Sequence, residues 1–414
     1  MRLRVLWPER GRLGFLTVAA TFFAGMAMAQ SERGMVTPGP AEKVSVIYLG
    51  KAYEEPPPLS LLEKILTDEG LAGARLGVRD NNTTGRFLNQ EFVLDEQIVP
   101  ADGDVAAKAK EILAKGDALI VVDLEPDDLL AVADLPEAKG SLILNIRSSR
   151  DELREENCRA NLFHILPSFA MRADALAQYL IWKRWSRWFL IKGKTPDDAA
   201  YAEAVKRAAK RFGGRVVEER TYKFDAGHRR TDSGHQQIQT QMPELTQGAE
   251  NHDVIWVADV GEAFGDYLLF RTYEPDPVVG TQGLVASAWH RAYEQYAGTQ
   301  LQHAFEEFAH RIMTERDYAA WLALRVFGEA ATRTRKTDLP SLREYILSDR
   351  FKVAGFKGQQ MTFRDWDHQL RQPILIAGPR ALVSISPQEG FLHEKFPTDT
   401  LGIDKPESKC RFPQ

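Results

Sequence analysis

The 414-residue sequence has few cysteines and histidines and lacks the short motifs that mark the common hydrolases and metalloenzymes. It has no Gly-x-Ser-x-Gly elbow, no His-Glu-x-x-His pair and no EF-hand loop. Gly193-Lys194-Thr195 resembles the end of a phosphate-binding loop, but the residue five positions before Gly193 is Trp188, inside a predicted strand. We therefore predict that the protein is not an enzyme and requires no cofactor.

The two cysteines are Cys158 and Cys410. In an oxidising compartment the simplest prediction is one disulfide between them, which ties the C-terminal tail to the body of the protein. Two free thiols and ligation of a soft metal are the alternatives. A single disulfide that closes so long a loop stabilises the fold only modestly, so the sequence does not indicate a protein held together mainly by disulfides.

Long apolar runs are absent after the first thirty residues. Arg2 and Arg4 precede an apolar run over residues 13–28, which ends in the small-residue pattern Ala27-Met28-Ala29. This arrangement is typical of a secretory signal peptide, so we predict cleavage after Ala29 and a periplasmic protein. No later stretch stays apolar for the ~18 residues that a membrane span needs.

The charge balance of the chain is acidic. The formal net charge is −5, and removal of residues 1–29, which contain four Arg and one Glu, makes it −8. An acidic surface repels phosphate groups, so nucleic acids and anionic membranes are unfavourable partners. A cationic ligand is compatible with this charge.

Apolar runs of strand length alternate with segments of helical periodicity along most of the chain. Strands are predicted at 44–50, 92–99, 118–122, 141–146, 188–191, 215–220, 253–258, 280–285 and 373–377, and helices at 69–78, 104–115, 171–182, 199–212, 300–314, 317–332 and 341–348. This alternation predicts an α/β protein with parallel sheets, and its restart after Pro167 indicates two Rossmann-like lobes. Residues 225–252, rich in His, Gln, Arg and Gly, are predicted to be an irregular surface insertion.

Acidic side chains recur directly after the predicted strands, where ligands bind in open α/β sheets. In chain order these are Glu54, Glu55, Asp123, Glu125, Asp127, Asp259 and Glu262. Calcium and lanthanide ions prefer six or more oxygen ligands, largely carboxylates. The pattern therefore predicts a metal ion held between two acidic lobes, with Glu54, Glu55 and Asn82 as weaker candidates than the five other acids.

Most of these polar residues also have an ordinary structural interpretation. Asp127 follows Pro126 and fits the first turn of a helix. Asp259 and Glu262 lie in a strand-to-helix turn, where capping is expected. A solvated loop explains the acidic pair after the first strand, and a tight turn explains Asn82.

Several longer segments resemble one known family. They are IYLG at 47–50, NNTTGRF at 81–87, HILPS at 164–168, DALAQYL at 174–180, FRDW at 363–366, QLRQP at 369–373 and SPQEGFLH at 386–393. The chain resembles, over essentially its whole mature length, the periplasmic substrate-binding proteins of ABC transporters found with PQQ-dependent alcohol dehydrogenase systems. These are relatives of the branched-chain amino acid binding proteins and share their type I periplasmic binding fold.

The resemblance implies a bilobal protein with a hinge of three crossovers, which delivers its ligand to an ABC permease at the inner membrane. It implies a first lobe of residues 43–167 with 286–335, a second lobe of 168–285 with 336–395, and a tail of 396–414. It also implies a monomer and a small solute or metal ligand. Because one class of these dehydrogenases uses lanthanides, a lanthanide ion or complex is an expected ligand.

One departure from the amino acid binders bears on the ligand. Those proteins place a small Ser/Thr-rich loop after the strand that here ends at Val122, whereas this chain has Asp123-Leu124-Glu125-Pro126-Asp127. An acidic loop repels a carboxylate, so branched-chain amino acids are disfavoured. We predict the solute-binding component of an ABC importer linked to PQQ-dependent alcohol oxidation. A periplasmic sensor, a metal or cofactor chaperone, and a binder of a small organic ligand are the alternatives.

Overall fold

The first half of the chain builds a parallel sheet. The computed structural model describes residues 41–54, 65–223 and 232–412, with backbone only over 232–237. Its first elements are β1 (Glu42–Lys51), α1 (Leu71–Gly85), β2 (Gln90–Val99), α2 (Val105–Leu113), β3 (Leu119–Asp123), α3 (Pro126–Ala133), β4 (Leu142–Asn145) and β5 (Leu162–His164). The strands pair in the order β2-β1-β3-β4-β5, all parallel.

A second alternating series follows β5. It comprises α4 (Phe169–Trp182), β6 (Arg187–Lys192), α5 (Pro196–Phe212), β7 (Arg215–Thr221), α6 (Asp232–Thr246), β8 (Val254–Ala258), α7 (Gly265–Arg271), β9 (Val278–Gly280) and β10 (Leu284–Ser287). Within this series the strands pair in parallel, β10-β9-β8-β6-β7. All five residues of β8 are buried, as expected for a strand covered on both faces.

The last part of the chain contributes to both halves of the structure. It forms α8 (Gly298–Ala309), α9 (Glu315–Thr334), α10 (Leu339–Ile346), β11 (Val353–Ala354), β12 (Gln360–Met361), β13 (Ile374–Gly378) and β14 (Ala381–Ser386). Strands β13 and β14 join β10 antiparallel, which completes a seven-stranded sheet. Helix α9 packs on α1 and β3 instead.

The protein is therefore bilobal. The first lobe is the β1–β5 sheet with α1–α3 and α8–α10, and the second is the seven-stranded sheet with α4–α7. The chain crosses between them after β5 (crossover 1), between β10 and α8 (crossover 2), and between β12 and β13 (crossover 3). This arrangement confirms the predicted fold class.

Close packing of α1 on α9 depends on glycine. A Cβ atom on Gly73 would lie 1.9 Å from the Asp317 carbonyl oxygen, and one on Gly77 would lie 2.6 Å from Leu324 Cβ. The two glycines are four residues apart and share one face of α1, so they let the helices approach closely.

Two stretches differ from, or add to, the sequence-based description. Residues 232–246 form helix α6 within the predicted irregular insertion. Ile238 and Met242 are four positions apart, so they lie on one face of this helix, and both are buried. Helix α10 lies in the stretch assigned from sequence to the second lobe, yet Leu342 and Ile346 pack in the core with α9. The exact lobe boundaries stay a prediction.

The two cysteines are bonded to each other. Cys158 and Cys410 form a disulfide with an S–S distance of 2.01 Å. Within the described residues, no helix combines the length and the apolar character that crossing a bilayer requires. The predicted signal peptide lies outside the described residues, as does Glu55.

Candidate functional site

A cavity of about 380 Å³ opens between the two lobes. Its lining residues are Ser149, Phe169, Arg172, Tyr201, Asp259, Val260, Glu262, Gly280, Thr281, Gln282, Val285, Ala286, Ser287 and Glu315. Ser149 follows β4 and Glu315 begins α9, so the first lobe contributes to the cavity, while the other lining residues come from the second lobe, including the start of α4. The cavity lies beyond the carboxyl ends of β4, β8 and β9, where ligands bind in open α/β sheets.

An ion pair joins the lobes at the edge of this cavity. Arg172 on α4 donates from Nη2 to the Glu315 carboxylate at 2.9 Å and from Nη1 to the Ala286 carbonyl at 3.0 Å. The other carboxylate oxygen of Glu315 accepts a hydrogen bond from the backbone N–H of Ala288 in crossover 2. The arginine and the glutamate are thus both engaged within the protein.

Asp259 shapes the turn that follows β8. Its carboxylate accepts hydrogen bonds from the backbone N–H groups of Ala263 at 2.9 Å, and of Phe264 and Gly265 at 2.7 Å. Burial raises the pKa of Asp259, and the three amides lower it in part. The structure therefore gives this carboxylate the capping role.

Glu262 lies in the same turn and differs from Asp259 in its surroundings. It is exposed, lines the cavity, and has a φ of 53°. A residue other than glycine in the left-handed region carries a local conformational cost, and such residues concentrate at functional sites. Of the acids predicted from the sequence, Glu262 is therefore the one that lines the cavity and is exposed to solvent.

Two aromatic rings form an apolar part of the cavity wall. Phe169 and Tyr201 pack edge to face with ring centroids 5.6 Å apart. Both side chains are buried, and burial raises the pKa of Tyr201 to about 12. Val260, Val285 and Ala286 extend this surface, so the cavity offers an apolar body beside its charged groups.

The predicted acids of the first lobe lie outside the residues that line the cavity. Asp123 ends β3 and accepts hydrogen bonds from the Tyr48 hydroxyl at 2.9 Å and from Arg147 at 3.3 Å. Arg147 also lies 3.8 Å from the Glu125 carboxylate. Asp127 is exposed in the first turn of α3. A basic partner in the same lobe thus compensates the charge of the loop after β3.

Two weaker candidates are also not among the residues that line the cavity. Glu54 is exposed after β1. Asn82 links α1 to β2, because its Oδ1 accepts the Phe92 N–H at 2.7 Å and its Nδ2 donates to the Phe92 carbonyl at 3.0 Å. In the part of the chain that the structure describes, no three His, Cys, Asp or Glu side chains come together in a group able to hold a metal ion.

Sequence reasoning missed Phe169, Arg172, Tyr201 and Glu315. The signal available for Glu315 was the Thr314-x-x-Asp317 capping box, which marks the start of α9. Nothing local indicated that this helix start faces α4, because 143 residues separate Arg172 from Glu315.

Comparison with protein families identifies the chain. A family described as periplasmic binding protein matches residues 64–380. The chain belongs to this periplasmic binding protein family. A search of the curated proteins finds no match to the chain.

Solved structures share its fold at low sequence identity. An ABC transporter substrate-binding protein from Sphaerobacter thermophilus has a TM-score of 0.66 and 15% identity, covering 84% of this chain and 98% of that one. The leucine-, isoleucine-, valine-, threonine- and alanine-binding protein from Brucella ovis, in a closed conformation, has a TM-score of 0.63 and 18% identity, covering 90% and 100%. A solute-binding protein from R. palustris in complex with benzoate has a TM-score of 0.61 and 12% identity, covering 89% and 100%. At these identities the likeness concerns the fold.

Proposed function

We propose that the protein is the solute-binding component of an ABC importer and that it holds a small organic solute between its lobes. The observation that carries this proposal is the cavity of about 380 Å³, lined by residues of both lobes. Its volume falls in the range of about 300–1,000 Å³ that is usual for small-molecule sites. Membership of the periplasmic binding protein family supports the same function.

A second contact between the lobes supports closure around the solute. Arg150, which follows β4, donates to the carboxylate of Asp197 in the first turn of α5. This pair and the pair of Arg172 with Glu315 both separate if the lobes move apart. A solute that touches both lobes favours the closed arrangement by the difference in its affinity for the two states.

The charges of the lining favour a solute with a positive charge. Three acidic residues, Asp259, Glu262 and Glu315, line the cavity with one basic residue, Arg172. Because Arg172 offsets the charge of Glu315 and backbone amides hold Asp259, we infer that Glu262 is the acid that a positively charged solute meets. Arg172 already donates to a carboxylate and a carbonyl group, so a carboxylate on the solute meets no uncommitted guanidinium there. We therefore propose a small organic cation with an apolar part that packs on Phe169 and Tyr201.

The acidic loop after β3 does not by itself disfavour an amino acid as the solute. The loop after β3 contains Asp123 and Glu125, but Arg147 offsets their charge. The lining of the cavity, not this loop, is what disfavours a carboxylate on the solute. A lanthanide or calcium ligand, the link to PQQ-dependent alcohol oxidation and a monomeric state stay predictions from the sequence.

Calorimetric titration of the protein without its predicted signal peptide tests the ligand class. Benzylamine and tetramethylammonium represent organic cations, and leucine, benzoate and lanthanum chloride represent the alternatives. We expect saturable binding of a cation that weakens about tenfold or more in Glu262→Gln, which corresponds to ~1.4 kcal/mol. Glu203→Gln is the matched control, because its side chain is 70% exposed on α5 and does not line the cavity.

Stronger binding of leucine or benzoate than of either cation contradicts the charge argument while leaving a solute-binding role intact. Lanthanum binding without organic binding supports the metal prediction instead. Uptake of labelled solute in cells with and without the cognate permease separates an importer from a sensor or chaperone, because only import requires the permease.

A further inference from the structure

The C-terminal tail, residues 396–412, is anchored in the second lobe. Leu401 is fully buried in the core formed by α4, α5 and β8. The backbone N–H of Gly402 donates to Asp174 on α4 at 2.8 Å, and its carbonyl accepts from Arg207 on α5 at 2.7 Å. These contacts are buried or half-buried, so this part of the tail moves with the second lobe.

The same tail is bonded to the third crossover. Asp399 accepts hydrogen bonds from Arg364 Nε at 3.1 Å and from Arg371 Nε at 2.8 Å. Arg364 also donates to the Leu401 carbonyl at 2.7 Å. Both arginines belong to crossover 3 and both are buried, so the tail covers this connecting segment between the lobes.

The end of the tail is attached to the first lobe. Glu155, between β4 and β5, accepts from the Lys409 N–H at 2.8 Å and from the Ser408 hydroxyl at 3.2 Å. Cys410 is bonded covalently to Cys158, in the same segment of the first lobe. The Phe412 ring stacks on His368 of crossover 3 with centroids 4.3 Å apart.

We infer that the tail is a fourth connection between the lobes, closed by the disulfide, and that it limits how far they rotate apart. Only residues 403–409 separate Gly402, the anchor in the second lobe, from Cys410, the covalent anchor in the first. Seven residues span at most ~25 Å when fully extended. They are further shortened by a turn in which the Asp404 carbonyl accepts the N–H groups of Glu407 and Ser408.

The disulfide makes this restraint covalent. Hydrogen bonds to Glu155 break and reform during local opening, whereas the Cys158–Cys410 bond persists. Rotation that carries Cys158 away from Gly402 therefore has to unfold the turn at Asp404. The amides of crossover 3 are suitable reporters, because the N–H of Leu370 donates to the carbonyl of His164, the last residue of β5 before crossover 1.

Hydrogen exchange on the ligand-free protein tests this inference. The oxidised protein is compared with the same protein after two-electron reduction by dithiothreitol, and with Cys158→Ser/Cys410→Ser. We expect exchange in residues 362–372 to accelerate about tenfold or more in the reduced and double-serine forms. The β8 peptide at 254–258 serves as the internal reference and is expected to keep its rate. The radius of gyration from X-ray scattering is expected to increase.

Equal exchange rates at 362–372 in the oxidised and reduced proteins overturn the inference. So does an acceleration at 254–258 by the same factor as at 362–372, because that result indicates a global loss of stability. Val205→Ala, a substitution of a buried residue on α5 outside both peptides, is the control for a small global destabilisation and is expected to leave the exchange of the hinge peptide unchanged relative to that of β8. If the double-serine protein does not fold, Phe412→Ala in the disulfide-bonded protein provides the second test. Its hinge exchange is expected to rise by a smaller factor, and no change also overturns the inference.

Discussion

Lys357 connects two crossovers of the hinge from a buried position. It follows β11, is 3% exposed, and donates from Nζ to the carbonyls of Ala288 in crossover 2 and Pro373 in crossover 3, the latter at 3.1 Å. The ammonium group also lies 5.3 Å from the centroid of the Tyr318 ring. Charged groups that act on it are Glu315 of α9 and Arg172 of α4.

Burial lowers the pKa of Lys357 from its usual 10.5 to about 7, with Glu315 raising it and Arg172 lowering it. Between pH 7 and 10.5 the unfolded chain therefore binds a proton that the folded protein has released. The free energy of unfolding rises with pH in this window, and the destabilisation by the buried charge is complete only below about pH 7. Linkage between these two pKa values predicts a gain of ~2–3 kcal/mol from pH 6 to pH 9.

Urea unfolding of the protein and of Lys357→Met at pH 6 and pH 9 measures this effect. Methionine cannot titrate, so the difference in unfolding free energy between the two proteins is expected to shift by ~2–3 kcal/mol in favour of the lysine protein at pH 9. Lys336→Met is the control, because Lys336 is exposed. Parallel pH dependences for the protein and Lys357→Met would refute the reasoning. If the variant is too unstable to compare, titration of the lysine Cε signals by carbon-13 NMR measures the pKa of Lys357 directly, and a value near 10.5 refutes the prediction.

Two further predictions concern backbone contacts. Gly73→Ala is expected to destabilise the protein by ~2 kcal/mol or more, because its Cβ would lie 1.9 Å from a carbonyl oxygen of α9. Gly378→Ala has no atom within 4 Å of its added Cβ and is expected to change the melting temperature much less; equal losses would argue against close packing of α1 on α9. Asp259→Ala leaves three amide donors unpaired and is expected to cost ~2–3 kcal/mol of stability in urea, with or without solute or metal. An unchanged stability would show that the capping role is unimportant.

Much of the fold follows from local patterns in the sequence. Strand β8 and the first four residues of β3 are continuous apolar runs, and the structure buries every residue of both strands. Helix α5 was predicted to end at Gly213, whose φ of 83° terminates it in the left-handed conformation that glycine adopts readily. Helix α6 was missed because Pro243 and a run of polar residues obscure its narrow buried face.

The site shows what sequence patterns leave open. The rule that ligands bind beyond strand ends located Asp259 and Glu262 near the cavity. It did not distinguish them, because the conformation of the turn decides that one carboxylate faces its own backbone amides while the other faces the cavity. Asn82 was considered as a ligand, but the neighbouring strand satisfies both ends of its amide.

The sequence by itself determined the α/β class and the division into two alternating series, because strand and helix periodicity are local properties. It made a disulfide the simplest prediction for its two cysteines, and the structure shows that bond. Only the tertiary structure decided which charges meet. Arg172 reaches Glu315, and a tail of seventeen residues joins both lobes through Gly402 and Cys410, because folding brings together positions separated by more than a hundred residues. Periodicity carries no information about contacts over such separations.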